Sequence, residues 1–244
     1  MTSFEQRIKV SEIFGPTIQG EGVVIGRPTV FVRTGGCDYR CVWCDSLHAV
    51  DNDYRQNWKP MHAREILDQV KSLTGNKPIM ITLSGGNPAI QPFEELLALG
   101  KVEGFTFAME TQGSVCKPWF GDLDVLVLSP KPPSSEMVFD ARQLAACVKA
   151  GETAGNTVLK FVVFDDLDLE FAQEVAASHP HLPIYLQPGN HTPPPAEDEN
   201  AQIDLEGINQ RMLWLIDKVN QTHWYTATVL PQLHVMLWGN QRGV

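Results

Sequence analysis

Three cysteines within eight residues constrain this chain more than any other feature of its sequence. Cys37, Cys41 and Cys44 form a C-x3-C-x2-C array that begins after two glycines and a β-branched segment, residues 29–33. In such a loop three thiolates can converge on one centre, whereas structural zinc sites usually take four ligands from two separated pairs. The spacing therefore favours an iron–sulfur cluster in which one iron stays open for another ligand.

A zinc site and a set of free thiols are the alternatives to a cluster. His48 lies close enough in sequence to act as a fourth ligand in a zinc knuckle. Unliganded thiols in so tight a loop would be prone to oxidation. The other two cysteines, Cys116 and Cys147, stand alone, and an odd total of five in a chain of 244 residues is untypical of a disulfide framework.

Strand-like and helix-like segments alternate along the chain. Apolar runs predict strands at residues 8–14, 29–33, 79–83, 106–109, 125–128, 158–164 and 184–186, with a loop rich in Gly and Pro at 15–28. Helical spacing predicts helices at 62–73, 93–99, 139–149, 169–177 and 205–219. This alternation implies a mostly parallel sheet. We predict an α/β fold of the partial-barrel type, in one domain over residues 1–244, with the site at the carboxyl ends of the strands.

Charge and hydropathy argue against several classes of function. The net charge is −10, from 19 basic and 29 acidic residues, so we expect no nucleic-acid partner. No apolar run approaches the roughly 18 residues of a membrane helix, and no apolar signal segment is present, so we expect a cytoplasmic protein without a membrane partner. A Pro-rich, acidic segment at residues 189–200 is predicted to be a surface excursion.

The cysteine array, with Trp43 just before its last cysteine, resembles the radical S-adenosylmethionine (SAM) superfamily. The resemblance implies that the three cysteines hold a 4Fe–4S cluster whose open iron binds SAM. TLSGGNP, residues 82–88, resembles the superfamily motif that receives the SAM ammonium group, although Asn87 stands where Glu is usual. METQG, residues 109–113, is similar to another strand end of the superfamily, with Glu110 interpreted as structural.

The flanking segments resemble one family of this superfamily, the 7-carboxy-7-deazaguanine synthases of 7-deazapurine (queuosine-type) biosynthesis. The similarity lies in PTIQGEG, TVFVRTGGC, LSPK and the ending LWGNQRGV, and it is weakest over residues 134–183 and 189–200. It implies a carbon–nitrogen lyase that contracts the ring of 6-carboxy-5,6,7,8-tetrahydropterin with loss of ammonia. It also implies a partial, modified radical SAM β/α barrel, Mg²⁺, a low-potential electron donor and a homodimer.

The same resemblance implies roles for individual residues. The substrate would contact Ile18, Gln19, Gly20, Glu21, Arg33 and Ser84, and its carboxylate would pair with Arg33. SAM would contact Trp43, Cys44, Asp45, Gly86, Ser129, Pro130, Lys131, Gln187 and Pro188. The cluster ligands would be Cys37, Cys41 and Cys44, and Ser46 would bind Mg²⁺ at a position where the family usually has Thr.

Two other functions stay open from the sequence. A radical SAM enzyme that forms a glycyl radical on a partner protein shares the cysteine array, but it should lack a pterin pocket built from Glu21 and Arg33. A non-catalytic zinc module would contain zinc in place of iron and sulfide.

Four aromatic residues are expected in the core: Phe105, Phe107, Phe171 and Trp214. Two histidines, His48 and His62, are expected at the surface or in packing.

Overall fold

A nine-stranded sheet forms the centre of the computed structural model, which describes residues 6–193 and 202–244. Its strands are Ile8–Ile18 (β1), Pro28–Thr34 (β2), Lys59–Met61 (β3), Met80–Gly85 (β4), Thr106–Thr111 (β5), Val125–Leu128 (β6), Thr157–Val163 (β7), Ile184–Pro188 (β8) and Ala227–Val229 (β9). Their spatial order is β3-β1-β2-β4-β5-β6-β7-β8-β9. β1 pairs antiparallel with β2 and β3, and each pairing from β2 to β9 is parallel. The predicted α/β fold with a mostly parallel sheet is confirmed.

Seven α-helices connect or flank these strands within the described residues. They are Leu47–Val50 (α1), Ala63–Thr74 (α2), Glu94–Val102 (α3), Ala141–Ala150 (α4), Asp166–Ala177 (α5), Leu205–Gln221 (α6) and Leu233–Trp238 (α7). α2 illustrates the local signals, since Glu65 bonds back to the His62 N–H at its start and Gly75, with φ of +60°, ends it. His62, which was expected at the surface or in packing, is the N-cap residue of this helix. No described helix is long and apolar enough to cross a membrane.

The two faces of the sheet differ because successive strand residues point to opposite sides. Ile81, Phe107 and Phe161 belong to the large apolar core. On the other face, the amino-terminal halves of the strands carry a smaller apolar cluster that includes Met80 and Val158. Two residues further along the same strands come Thr82 and Lys160, which are polar. The inner face therefore changes from apolar to polar toward the carboxyl ends of its strands.

The sequence prediction was wrong about the end of the first strand. β1 continues to Ile18 instead of ending at residue 14, so the loop predicted at 15–28 begins only after Ile18. Its pairing with β2 shifts register between Phe14 and Thr17 and then resumes, with Thr17 opposite Thr29. Gly15 and Pro16 lie at this irregularity, so they interrupt the pairing without ending the strand. The other predicted elements agree with the structure to within a few residues at their ends.

Short elements and part of one loop also differ from expectation. The three-residue strands β3 and β9 and the helix α7 were not predicted, because runs this short carry no periodic signal. Gly189 and Asn190 are buried, so the predicted excursion at 189–200 does not begin at the surface, and residues 194–200 lie outside the described part.

The core assignments of the four aromatic residues are confirmed. Phe105 and Phe107 are buried, and Phe171 and Trp214 are partly buried and pack against the core. The extent of a single domain stays a prediction.

Candidate active site

A cavity opens at the carboxyl ends of the parallel strands. Side chains from five strands point into it: Arg33 of β2, Ser84 of β4, Glu110 of β5, Lys160 of β7 and Gln187 of β8. All five lie on the inner face of the sheet, at its polar end. The cysteine loop and residues 239–244 complete the wall. The predicted position of the site, at the carboxyl ends of the strands, agrees with this cavity.

Most of the residues assigned from the sequence line this one cavity. They are Ile18, Gln19, Gly20, Glu21, Arg33, Cys37, Cys41, Trp43, Cys44, Asp45, Ser46, Ser84, Gly86, Lys131 and Gln187. Ser129, Pro130 and Pro188 do not line it. Ser129 is buried, and its hydroxyl accepts a hydrogen bond from Lys131 Nζ at 3.2 Å, so it lies behind that lysine. Contact of these three residues with SAM stays a prediction.

The thiols of the cysteine loop are free and at least partly buried. Burial raises the pKa of Cys37, Cys41 and Cys44, and for Cys44, which also lies beside the Asp45 carboxylate, the pKa rises to about 12. Thiolates in this position require a nearby positive centre, and bound iron supplies one. The donor set therefore fits an iron–sulfur cluster.

The cysteines do not surround a point at which a single ion would bind. Among residues 6–193 and 202–244, no three His, Cys, Asp or Glu side chains meet closely enough to hold one metal ion. His48, the candidate fourth zinc ligand, instead has its Nε2 3.2 Å from Oε1 of Glu12. This spacing of the thiols is compatible with a cluster of several irons, which is larger than a single ion.

Two glycines at the end of β4 bring its backbone against the cysteine loop. Gly85 has φ of +132°, a conformation that side chains rarely adopt. A Cβ on Gly86 would lie 2.2 Å from the backbone oxygen of Gly36, the residue before the first cysteine. The TLSGGNP segment thus requires glycine here so that strand end and loop can touch.

Several side chains that line the cavity have buried polar atoms without a hydrogen-bond partner in the described residues, and two of them, Gln187 and Ser84, were assigned to the site from the sequence. Neither Oε1 nor Nε2 of Gln187 makes a hydrogen bond, although this residue is only 1 % exposed. The hydroxyl of Ser84 likewise makes no hydrogen bond. Buried polar groups in proteins are nearly always paired. These two therefore suit hydrogen bonds to bound molecules, as their predicted SAM-binding and substrate-binding roles require.

A buried lysine joins two carboxylates at the base of the cavity. Lys160 is 1 % exposed, and its Nζ contacts Oε2 of Glu21 and, at 2.6 Å, Oε1 of Glu110. Oε1 of Glu21 accepts a hydrogen bond from Gln232 Nε2 at 2.9 Å and lies 3.9 Å from His234 Nδ1. Burial alone would raise the pKa of Glu21, but the charges of Lys160 and His234 lower it. The same pairing raises the pKa of Lys160 against the effect of burial.

Sequence reasoning missed several members of this group. Lys160 interrupts the apolar run 158–164, and this was a usable signal because lysine is almost never fully buried unless paired. Glu110, interpreted as structural, lines the cavity as well as pairing with the lysine. Gln232 and His234 lie beyond β9 in a segment without a periodic pattern, so no sequence signal connected them with Glu21.

Arg33 is held at the cavity wall by polar and aromatic contacts. Its Nε is 2.6 Å from Oε1 of Glu12, its Nη1 donates to Ser46 Oγ at 3.2 Å, and its guanidinium lies 5.6 Å from the centre of the Phe14 ring. The Ser46 hydroxyl in turn donates to Oδ1 of Asp45 at 2.9 Å. The guanidinium has five N–H groups, so it retains donors for an anion in the cavity.

Comparison with known proteins places the chain in a family. The sequence model of the Radical SAM superfamily matches residues 31–127. The 7-carboxy-7-deazaguanine synthase of Bacillus cereus is 43 % identical and covers 98 % of this chain and 99 % of its own length. The enzyme of the same name from Bacillus subtilis is also 43 % identical, over 97 % and 98 % of the two chains.

A solved structure supports the fold. The crystal structure of QueE from Escherichia coli superposes with a TM-score of 0.65 at 22 % identity and covers 93 % of this chain and 95 % of that one. Neither the glycyl-radical-activating alternative nor the zinc module is favoured by these similarities. The chain therefore belongs to the 7-carboxy-7-deazaguanine synthase family of radical SAM enzymes.

Proposed function

We propose that this cavity contracts the ring of 6-carboxy-5,6,7,8-tetrahydropterin to give 7-carboxy-7-deazaguanine and ammonia. The observation that carries the proposal is the presence, in a single cavity, of the cysteine array, Arg33 and the group of Glu21, Lys160 and Glu110. The product has the composition of the substrate minus ammonia, so the reaction needs no net oxidant. One ring nitrogen leaves while the carbon skeleton and the carboxylate stay.

The cysteine side of the cavity would hold the cofactors. Cys37, Cys41 and Cys44 would bind a 4Fe–4S cluster, and with SAM bound the site would supply the carbon radical that removes hydrogen from the carbon bearing the substrate carboxylate. The residues that would contact SAM include six that line the cavity, Trp43, Cys44, Asp45, Gly86, Lys131 and Gln187, together with Ser129, Pro130 and Pro188. The ring of Trp43 lies 5.1 Å from that of Phe164, and this aromatic wall, together with the unpartnered amide of Gln187, suits a purine. Ser129 would act by orienting Lys131.

The other side of the cavity would hold the substrate by its two ends. Arg33 would pair with the carboxylate, because a guanidinium binds a carboxylate through two parallel hydrogen bonds. The amidine edge of the pterin carries N–H donors. These would donate hydrogen bonds to the ionised carboxylate of Glu21 and to the backbone of Ile18, Gln19 and Gly20. Ser84 would donate its free hydroxyl to the ring between them.

Magnesium would bind beside Arg33, on the cysteine loop. Oγ of Ser46 uses its hydrogen for Asp45 and accepts from Arg33, which leaves one lone pair for a cation. The neighbouring Asp45 supplies negative charge, and Mg²⁺ is usually held by few protein oxygens together with substrate and water. A cation held there would neutralise charge on the substrate carboxylate and help Arg33 to position it.

Further proposals follow from family membership. We propose that the enzyme works as a homodimer of single-domain subunits in the cytoplasm and receives electrons from a low-potential donor protein. The net charge of −10 gives no basis for a nucleic-acid partner.

Turnover under anaerobic conditions tests the assignment. Protein reconstituted with iron and sulfide is mixed with SAM, a reductant, Mg²⁺ and the carboxytetrahydropterin, and the products are identified by mass spectrometry. We expect 7-carboxy-7-deazaguanine and ammonia in equal amounts. Formation of 5′-deoxyadenosine without any deazaguanine product, by protein with a full cluster, would contradict the proposed substrate but not the cofactors.

A further inference from the structure

We propose that Asp38 and Asn87 are a positioning pair that fixes the cysteine loop on the ends of β4 and β5, and that residue 87 is an amide because residue 38 supplies the carboxylate. Nδ2 of Asn87 donates to Oδ1 of Asp38 at 2.7 Å. Asn87 is fully buried, and Asp38 directly follows the first cysteine of the array. The inference rests on the proposed cluster at this array, and it concerns the point at which the TLSGGNP segment departs from the superfamily motif.

Every hydrogen-bonding position of the Asn87 side chain is used. Its Oδ1 accepts from the Ala89 backbone N–H at 3.1 Å and from the Thr111 hydroxyl at 2.7 Å. Its Nδ2 donates to Asp38 and, at 3.2 Å, to the Ser114 hydroxyl. Because the N–H of Ala89 can only donate, the amide oxygen faces it and the amide nitrogen faces Asp38. The position therefore requires a side chain with both acceptor and donor capacity.

Asp38 receives a second amide from the neighbouring strand end. Gln112, directly after β5, donates through Nε2 to Oδ1 of Asp38 at 2.8 Å, and the same nitrogen is 3.6 Å from Sγ of Cys37. Gln112 is 7 % exposed, so its amide is largely shielded from water, whereas Asp38 itself is exposed. The side-chain amides of Asn87 and Gln112 thus both donate to Asp38, the residue after Cys37, and would thereby position the sulfur of Cys37.

A carboxylate at position 87 is incompatible with this arrangement. It would have no hydrogen to donate to Asp38, and it would place a buried anion within hydrogen-bond distance of the Asp38 carboxylate. A glutamate, the usual residue of the motif, would add a further methylene to a fully buried site. At the contact between the end of β4 and the cysteine loop, this chain therefore has its carboxylate on the loop, at Asp38, and an amide at residue 87.

An isosteric exchange of the two side chains tests the pair. The full chain is prepared as Asn87→Asp, Asp38→Asn, Asp38→Ala and the double variant Asp38→Asn with Asn87→Asp. Each is reconstituted with iron and sulfide under anaerobic conditions. Three quantities are measured: iron and sulfide per chain, the rate of iron release to a chelator, and the midpoint potential of the cluster.

We expect Asn87→Asp and Asp38→Ala to release iron at least about tenfold faster, as the loss of one or two hydrogen bonds from the buried amides of Asn87 and Gln112 implies. The double variant should recover most of this loss, because the bond reverses direction and Gln112 can turn its amide to accept. Asp38→Asn should retain iron but shift the potential to more positive values, since one anion beside the cluster is lost. The double variant restores the charge and should restore the potential.

Ser114→Ala is the matched control, because it removes the other acceptor of the same Nδ2 without changing any charge, and it should leave the potential unchanged. Parental iron release in both Asn87→Asp and Asp38→Ala would overturn the pair, as would a double variant no better than Asn87→Asp. An unshifted potential in Asp38→Asn would overturn the role of Asp38 as the local anion. If the parent chain binds no iron, the proposed cluster fails, and this result is distinct from all of these.

Discussion

Nζ of Lys160 lies 2.6 Å from Oε1 of Glu110 and also contacts Glu21, although 139 residues separate the lysine from the second carboxylate. The three side chains lie at the polar end of the inner face of the sheet, where the cavity begins. A single buried cation there neutralises one of two anions. The group therefore contains more carboxylate oxygens than the lysine can bind, and these can accept hydrogen bonds from the N–H donors of a pterin amidine.

Lys160→Met should destabilise the fold and weaken substrate binding. Removing one partner from a buried ion pair typically costs about 3–5 kcal/mol, because the remaining charges stay buried and unpaired. Thermal unfolding of the iron-free chain measures this loss. Lys71→Met is the control, because Lys71 pairs with Glu103 at a more exposed site and its loss should cost less than about 1 kcal/mol. Equal stability losses in the two variants would contradict the role given to the buried group.

The same group predicts the dependence of stability on pH. The pKa of Glu21 lies below its ordinary value of 4.5, so its contribution is present above that value and falls as the pH drops toward the folded pKa. The pKa of Lys160 lies above its ordinary value of 10.5, so its contribution is present below pH 10.5 and falls only at higher pH. Denaturant titrations of the parent should therefore show that this group adds no pH dependence to the free energy of unfolding between neutral pH and about pH 9. In Lys160→Met the buried carboxylates gain from protonation, so its stability deficit should shrink as the pH is lowered.

The cysteine array predicts which thiols matter for the cluster. Alanine at Cys37, Cys41 or Cys44 should each abolish SAM cleavage and the brown colour of anaerobically purified protein. Cys116→Ala and Cys147→Ala should retain both properties, because neither residue lines the cavity. Absorbance spectra and 5′-deoxyadenosine formation provide the measurements. Full SAM cleavage by Cys41→Ala would contradict the ligand assignment.

Arg33→Ala should weaken binding of the substrate far more than binding of SAM. Truncating one partner of a buried charge pair costs about 2–5 kcal/mol, which corresponds to at least about 30-fold in affinity. Arg33→Lys keeps the charge but loses the two parallel bonds, so its loss should be intermediate. Equilibrium binding of each ligand separates the two effects. If both affinities fall equally, Arg33 acts only through its contacts with Glu12 and Ser46.

Ser46→Ala should raise the Mg²⁺ concentration needed for half-maximal turnover while SAM binding without substrate stays unchanged. The variant lacks Oγ of Ser46, the side-chain atom that would bind the cation. Ser46→Thr should retain activity, because the hydroxyl is kept and its rotamers are restricted by the added methyl group. Turnover measured over a range of Mg²⁺ concentrations is the test. An unchanged requirement in the alanine variant would assign the cation to substrate and water alone.

Local pattern in the sequence was sufficient for the fold class and for much of the site. The array from Cys37 to Cys44 and the glycine pair before Asn87 act through neighbours in the chain, so their spacing already restricts what they can bind. Alternating strands and helices imply a parallel sheet, and a parallel sheet brings the ends of its strands to one edge. Arg33 and Ser84 were assigned to the site by the family resemblance, and both lie at strand ends that line the cavity with the cysteines.

Only the tertiary structure decided which distant side chains meet. Lys160 contacts Glu21 and Glu110 because the strand order and register of the sheet bring β5, β7 and the segment after β1 together at the same edge of the sheet. A shift of one residue in the register of β7 would turn the lysine side chain to the other face. Sequence spacing carries no information about that register. The pairing of Asp38 with Asn87 likewise depends on how the cysteine loop packs on β4, because buried hydrogen bonds between remote residues are specified by packing, which no local pattern encodes.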